Sequence, residues 1–425
     1  ACFARPLMPL GGATISTMNP INWQNGTWTR QPPKGRGHEI CITSDWAPIR
    51  AFSQMIRDDP EAVYGNVLPE LRTSDLRITN LECPLTRSET AIHKSGSVLK
   101  GGPEHITGLT AVPFDIVTLA NNHVFDYGGG AFRETTDLLE ANGIRFVGAG
   151  ITRQAAVEPL IVQVAETTIA LVSFSEGEDL TGAVNGGGVF GWEINAVVDA
   201  VKTAKKTADL VFVICHAGVE YIPFPPPYLA RALMAIADAG ADLVVGHHPH
   251  VPQGVQIVGS VPIAYSLGNF VFYQPSDLVY RKVGYMLKVG ISERSLTGIR
   301  LVPYQISDQG LNLLDGTRLA WFFDKMQRIS KPLETMDDIE DAWNGFLRHY
   351  GVDGFFDEID MLLGKLREEP PKGAAMIRNR ITTMQHRKHW IDAMTRIMNG
   401  TIDDAPDWAC KLTREWLTRT IQTIG

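Results

Sequence analysis

Cysteine is scarce: five residues in 425, Cys2, Cys41, Cys83, Cys215 and Cys410, an odd number with no close pair. That spacing excludes a CxxC zinc ribbon or thioredoxin motif. Cys41 and Cys215 fall inside apolar runs, where a thiol serves as a small buried hydrophobe in a reducing compartment. Long apolar runs are also missing. None approaches the ~18–20 residues of a membrane-spanning helix, and the first twenty residues lack the charged-then-apolar order of a signal peptide. The expected compartment is the cytoplasm, and a start at Ala1 leaves room for a leader or anchor removed by processing. Positive charge is short too: 39 Lys and Arg against 47 Asp and Glu give a net charge of −8. With no basic patch interleaved with aromatics, this balance argues against a nucleic-acid partner. No repeat is visible, and the runs PPP (225–227) and GGG (186–188) are loop punctuation.

What is present is an ordinary globular balance, 44% hydrophobic and 20% charged, on a chain long enough for one large domain or two or three smaller ones. Residues 1–37, rich in Pro, Gly, Asn, Thr and Trp, read as an arm over the main domain. From His38 short β-branched runs alternate with helix-length segments. Strands are expected at 39–44, 76–80, 115–120, 145–149, 210–215 and 242–246, with helices at 130–142, 195–207 and 229–240. This is an α/β core. Residues 158–175 read as a hairpin, and 256–272 and 285–307 as further antiparallel strands, so a mixed sheet or two packed sheets are expected. From about 315 the pattern is helical throughout. The division expected is therefore an arm (1–37), a main domain (38–314) and a helical extension (315–425). The aromatic and Met stripes of that extension are core-facing, and its spacing fits either packing on the main domain or a homodimer contact.

The side chains that suit chemistry fall just after strands. Asp45 follows the first, Glu82 the second, Asn121, Asn122 and His123 the third, His216 the fifth, and His247, His248 and His250 the sixth. In open α/β sheets ligands bind beyond the carboxyl ends of strands. The densest cluster is GHHPHV (246–251), whose His248 and His250 can converge on one ion while His247 faces elsewhere as a hydrogen-bond donor. In ANNHVFDYG (120–128), an Asn carbonyl can be a neutral metal ligand and His123 a general acid or phosphate contact. Asp126 either orients His123 or caps the helix that follows. Glu82 is placed to bridge two metals. His216, at a strand end beside Gly218, reads as a ligand, with Glu220 behind it.

Together, TSDWAP, NLECPLT (80–86), DIVTLANNHVFDYG (115–128), ICHAGVEY (214–221), GADLVVGHHPHVPQG (240–254) and IAYSLGNFVF (263–272) resemble the CapA, or poly-γ-glutamate capsule synthesis, branch of the calcineurin-like metallophosphoesterases. The resemblance covers about residues 38–305. It implies a four-layer αββα sandwich with a metal-binding edge. It implies Asp45 and His250 on one metal, Glu82 as the bridge, and Asn122, His216 and His248 on the second. His123 becomes the acid or oxyanion contact, with Asp126 beside it. Asn121, His247, Glu220, Tyr265, Ser266 and Asn269 line or brace the substrate pocket. The sequence departs from the wider superfamily in reading Asp45-Trp46-Ala47 where a DxH pair is usual, in a Glu where the bridge is usually Asp, and in Ser44 where Gly is usual.

The implied cofactor is a divalent metal, one or two ions of Mn, Fe or Zn. The implied reaction is metal-assisted hydrolysis of a small or polymeric anionic substrate, a phosphoester or a γ-glutamyl amide. The alternative is a non-catalytic or transferase-type factor in capsule polymer assembly.

Overall fold

The computed structural model describes residues 20–183 and 186–420. Most of the arm expected at 1–37, Cys2 within it, and the last five residues lie outside the described residues.

Two mixed sheets face each other. The first has eight strands. Its path runs Thr27–Thr29, Ser295–Ser307, Val283–Ser292, His38–Trp46, Leu76–Leu81, Ile116–Thr118 and Arg145–Val147, with Gly310–Leu313 added on Ser295–Ser307. The second has six, in the order Val255–Val258, Val261–Ala264, Leu243–His247, Leu210–His216, Thr167–Ser175 and Leu160–Val164. In both, the central strands are parallel, so their carboxyl ends gather on one edge.

Period-two alternation builds the layers. In Leu210–His216, Leu210, Phe212 and Ile214 join the core between the sheets, where Ile40, Ile42 and Ile78 of the first sheet meet them. Val211, Val213 and Cys215 point the other way, onto Val201, Leu229 and Leu233 of the helices Ile194–Ala204 and Pro227–Asp238. On the far side of the first sheet Cys41 and Val117 pack with Phe52, Leu109 and Phe132 of three helices. The order is helix, sheet, sheet, helix. Each fully buried Leu, Ile or Phe contributes ~1.5–3 kcal/mol relative to exposure, and strands apolar on both faces fit only such a sandwich.

Several segments differ from the sequence expectation. Residues 265–272 are an irregular buried loop rather than a strand. Gly268 holds φ +83°, and single bridges tie the loop to Asp45, Pro252 and Gly284. Thr27–Thr29 and Gly310–Leu313 are strands that short runs without periodicity concealed. The stretch 374–400, which reads as one amphipathic segment, is two helices, Pro370–Thr382 and Met384–Met398, with extended Thr383 between them. Conversely 336–368 is continuous but for Gly351. Among the described residues no helix is long and apolar enough to cross a membrane.

Candidate metal centre

The centre forms where the carboxyl ends of the two sheets meet. Asp45 and Glu82 come from adjacent parallel strands of the first sheet, His216 and the 247–250 turn from adjacent strands of the second. All are buried, none of Asp45, Glu82, His216, His248 and His250 exceeding 3% exposure. Two groups of ligand-type atoms result, Glu82 with His216 and His248, and Asp45 with Glu82 and His250, each within 4.8 Å. Glu82 belongs to both. Its Oε1 stands 3.3 Å from His216 Nε2 and 3.7 Å from His250 Nε2, and Asp45 Oδ2 lies 3.5 Å from His250 Nδ1. Asn122 Oδ1 is 2.9 Å from His216 Nε2.

The turn carrying the histidines is held in an uncommon backbone shape. His248 has φ +98° and His250 φ +57°, a region that costs a non-glycine residue of order 1–3 kcal/mol and persists where surroundings enforce it. Asn269 is one enforcer. Its Nδ2 donates to His250 O at 3.1 Å, so its Oδ1 accepts from His250 Nδ1 at 2.8 Å. That leaves His250 Nε2 with its lone pair toward Glu82. Asn122 is fixed in the same manner: its Nδ2 donates to Glu178 Oε2 at 2.9 Å, turning Oδ1 to the centre.

The donor set fits a cation. Asp45 Oδ2 and both oxygens of Glu82 have no hydrogen-bond partner among the described residues, and an unpaired buried carboxylate costs several kcal/mol. Without an ion the only escape is protonation. Burial, then the neighbouring Asp45, pushes Glu82 well above the carboxylate range, and burial raises Asp45 to about 7. Burial also keeps His250 neutral, lowering it to about 4, and drives His216 well down. Neutral imidazoles facing unpaired carboxylate oxygens suit Mn, Fe or Zn.

His123 borders this group and is 8% exposed. Its Nδ1 donates to Asp126 Oδ2 at 2.7 Å. The helix Gly128–Ala141 starts after Tyr127 without a side-chain cap, so of the two roles open to Asp126 the geometry has only the orienting one. Its other contacts are Lys94 Nζ at 2.7 Å and the N–H of Leu99 at 2.7 Å.

Of the residues expected around a substrate, most turn inward. Asn121 braces its own turn, accepting from the N–H groups of His123 and Val124 and donating to Leu81 O. His247 Nδ1 meets Ser44 Oγ at 3.2 Å. Tyr265 is fully buried and donates to Gln256 Oε1 at 2.7 Å. Ser266 donates to Val251 O at 2.7 Å. Through these bonds the four, with Asn269, brace the site: His247 ties its turn to Ser44 of the first sheet, and the others tie down the 247–272 loops and the Asn121 turn. Glu220 is half-buried, near enough to oppose the lowering of His250. Where a DxH pair would place a ligand, buried Ala47 donates its N–H to Val271 O at 2.7 Å.

Residues that sequence reasoning missed complete the surroundings. Asn80 donates to Asp45 Oδ1 at 2.8 Å; its place at a strand end was a usable signal. Lys94, 3% exposed, and Glu176 lie in loops without periodicity, and Glu178 opens the single 3-10 turn Glu178–Leu180. Glu176 accepts from Tyr228 at 2.5 Å. Gln385 reaches the centre from the C-terminal helices, with no motif to mark it.

The sequence model of the family described as bacterial capsule synthesis protein PGA_cap matches residues 39–274, over half of the chain, and the chain belongs to that family. All six candidate ligands fall inside the match. The family lies within the metallophosphoesterase-like superfamily. Among individual relatives, the PGA biosynthesis protein CapA of Bacillus subtilis is 33% identical over 218 residues, covering 50% of this chain and 57% of that protein. The capsule biosynthesis protein CapA of Bacillus anthracis is 29% identical over 266 residues, covering 59% and 64%. This chain thus spans less than two thirds of either relative's length. The crystal structure of a 5'-nucleotidase from Candida albicans aligns over 73% of this chain and 60% of its own, at 9% identity and TM-score 0.36.

Proposed function

We propose that the chain is a metal-dependent hydrolase that cleaves a phosphoester or a γ-glutamyl amide in an anionic substrate, with Asp45, Glu82, Asn122, His216, His248 and His250 holding one or two ions of Mn, Fe or Zn. The observation that carries this reading is Glu82: a fully buried carboxylate with neither oxygen hydrogen-bonded, shared by two groups of histidine and carboxylate atoms. Bound there, divalent ions supply Lewis acidity and a water made acidic enough to ionise near neutral pH.

The chain's own residues do the rest. Asp126 remains ionised: burial would raise it, but His123 and Lys94 outweigh that and lower it. It holds the Nδ1 proton of His123 and leaves the Nε2 lone pair free to take a proton from water and then pass that proton to the leaving group. Burial and Lys94 lower His123, so the ring is neutral at pH 7. Asn122 is pre-oriented by Glu178 and His250 by Asn269, which spares reorganisation during the reaction.

A second reading has support in the relatives, which are named for PGA and capsule biosynthesis. In it the same centre binds a γ-linked glutamate polymer as a transferase-type or non-catalytic assembly factor. The deciding experiment is elemental analysis of chain purified without chelator, beside His248→Ala and Glu82→Ala. One to two equivalents of metal, lost in both variants, followed by turnover of phosphoesters or γ-glutamyl amides, supports the hydrolase. Metal without turnover but with polymer binding favours the assembly factor. A wild-type chain that takes up no Mn, Fe or Zn even on reconstitution rejects the hydrolase and leaves a fold retained for binding or assembly.

A further inference from the structure

The C-terminal helices begin at Gly316, well beyond the end of the family match at residue 274, yet one of their side chains lies against the centre. Gln385 is the second residue of Met384–Met398 and is 3% exposed. Its Nε2 donates to Glu178 Oε1. Its Oε1 lies 3.3 Å from His248 Nε2. The break between the two helices is pinned at the same place, where the N–H of Asp179 donates to Asn379 Oδ1 at 3.2 Å and Thr383 Oγ1 donates to the same oxygen.

The chemistry leaves one arrangement. A carboxylate only accepts, so the amide must turn its NH2 to Glu178 and its oxygen to His248. That oxygen only accepts, so His248 carries its proton on Nε2. In the neutral ring, the form that can hold a metal, the lone pair is then on Nδ1, the atom 3.2 Å from His216 Nε2. Glu178 in turn accepts from Asn122 Nδ2 with its other oxygen and aims Asn122 Oδ1 at the centre. One amide thus sets two candidate ligands that both meet His216 Nε2, His248 directly and Asn122 through Glu178.

We propose that Gln385 is a positioning residue for the centre, fixing the tautomer of His248 and, through Glu178, the amide orientation of Asn122, so that the C-terminal helices set the affinity of the Glu82–His216–His248 group. This inference rests on the metal-centre reading. Partners of this kind behind a ligand typically account for 10–100-fold in metal affinity.

The test is Mn2+ titration of chelator-stripped full-length chain by calorimetry, with circular dichroism as the check on folding. Gln385→Met keeps the length and removes both hydrogen bonds. It is expected to weaken one equivalent 10–100-fold. Gln385→Glu sets two carboxylates against each other and is expected to weaken it as well. The reciprocal exchange, Gln385→Glu with Glu178→Gln, restores a donor facing an acceptor at each contact and is expected to recover most of the affinity, a rescue that simple packing of the tail would not produce. Should Gln385→Met fail to fold, the single and reciprocal charge exchanges still decide. Wild-type affinity in the folded single variants, or a loss that the exchange does not recover, overturns the inference. A wild-type chain that binds no Mn2+ overturns the metal-centre reading itself, a different result.

Discussion

Glu82 concentrates the energetic tension of the metal-free chain in one side chain. Because it belongs to both ligand groups, Glu82→Gln is expected to abolish uptake of both ions. It also replaces an unpartnered buried acid, protonated in the stripped chain, by a neutral amide of the same shape, so the stripped variant is expected to melt no lower than stripped wild type; elemental analysis and thermal melts check the two halves. The pH dependence of the stripped chain follows from the same groups. Burial raises Asp45 to about 7 and Glu176 to about 7, from ordinary values of 3.8 and 4.5, and Glu82 further. A raised folded-state value means a contribution complete below the ordinary value and lost as pH climbs through the raised one. His216, His247 and His250 are lowered by burial, so their contribution is intact above about 6.5 and lost on acidification. The two sets oppose each other in mild acid, and above pH 6.5 these histidines are silent. Stripped protein is therefore expected to lose stability from pH 6.5 to 8, by up to about 1.4 kcal/mol per pH unit for each titrating carboxyl. Metal-loaded protein, with Asp45 and Glu82 already ionised, keeps only the share of this loss that Glu176 supplies; urea melts at several pH values separate the two. For turnover, His123→Ala is expected to cost about 10²–10⁴-fold in kcat with metal content unchanged, and a variant that keeps full activity would remove His123 from the chemistry.

At the scale of elements, the placement of ligand residues was legible because parallel strands must end on one edge, and a polar residue after each apolar run marks that edge. Asp45, Glu82, His216 and the 247–250 turn could be read so. The braces could not. Tyr265 and Ser266 sit in a run whose apolar alternation imitates a strand, and only the left-handed Gly268 and three separate bridges show it to be a loop. The approach of that loop to the second sheet is close. A Cβ on Gly246 would stand 2.0 Å from the carbonyl oxygen of Tyr265. Gly246→Ala must push the loop from the strand end that feeds His247–His250. A loss of about 3 kcal/mol is expected, read as a lower urea midpoint with unchanged slope, together with weaker metal binding.

On the whole-molecule scale the helical character of residues after 315 was plain from periodicity, but its attachment was not. Amphipathic stripes say that a face is buried, not against what. The structure gives two answers. Phe322, Ile329, Leu412 and Trp416 extend the core between the sheets, with Trp416 stacked on Tyr280 at a ring separation of 3.5 Å. Gln385 instead reaches the polar centre, a contact no apolar pattern could announce. If the helices are part of one cooperative unit, Trp416→Ala destabilises the entire chain by about 3–5 kcal/mol. Far-ultraviolet and near-ultraviolet melts should then stay coincident; a separate early transition would mark the helices as an independent unit.

The carboxylates of the centre hang from one sheet and its imidazoles from the other. A cation held by both sets is therefore a rivet through the seam of the sandwich. It closes a circuit between Asp45 and His250 that encloses some two hundred residues of chain, and sliding one sheet past the other would shear it. Loaded and stripped protein should accordingly differ less in shape than in mechanical strength, the loaded seam resisting a pulling force that parts the empty one.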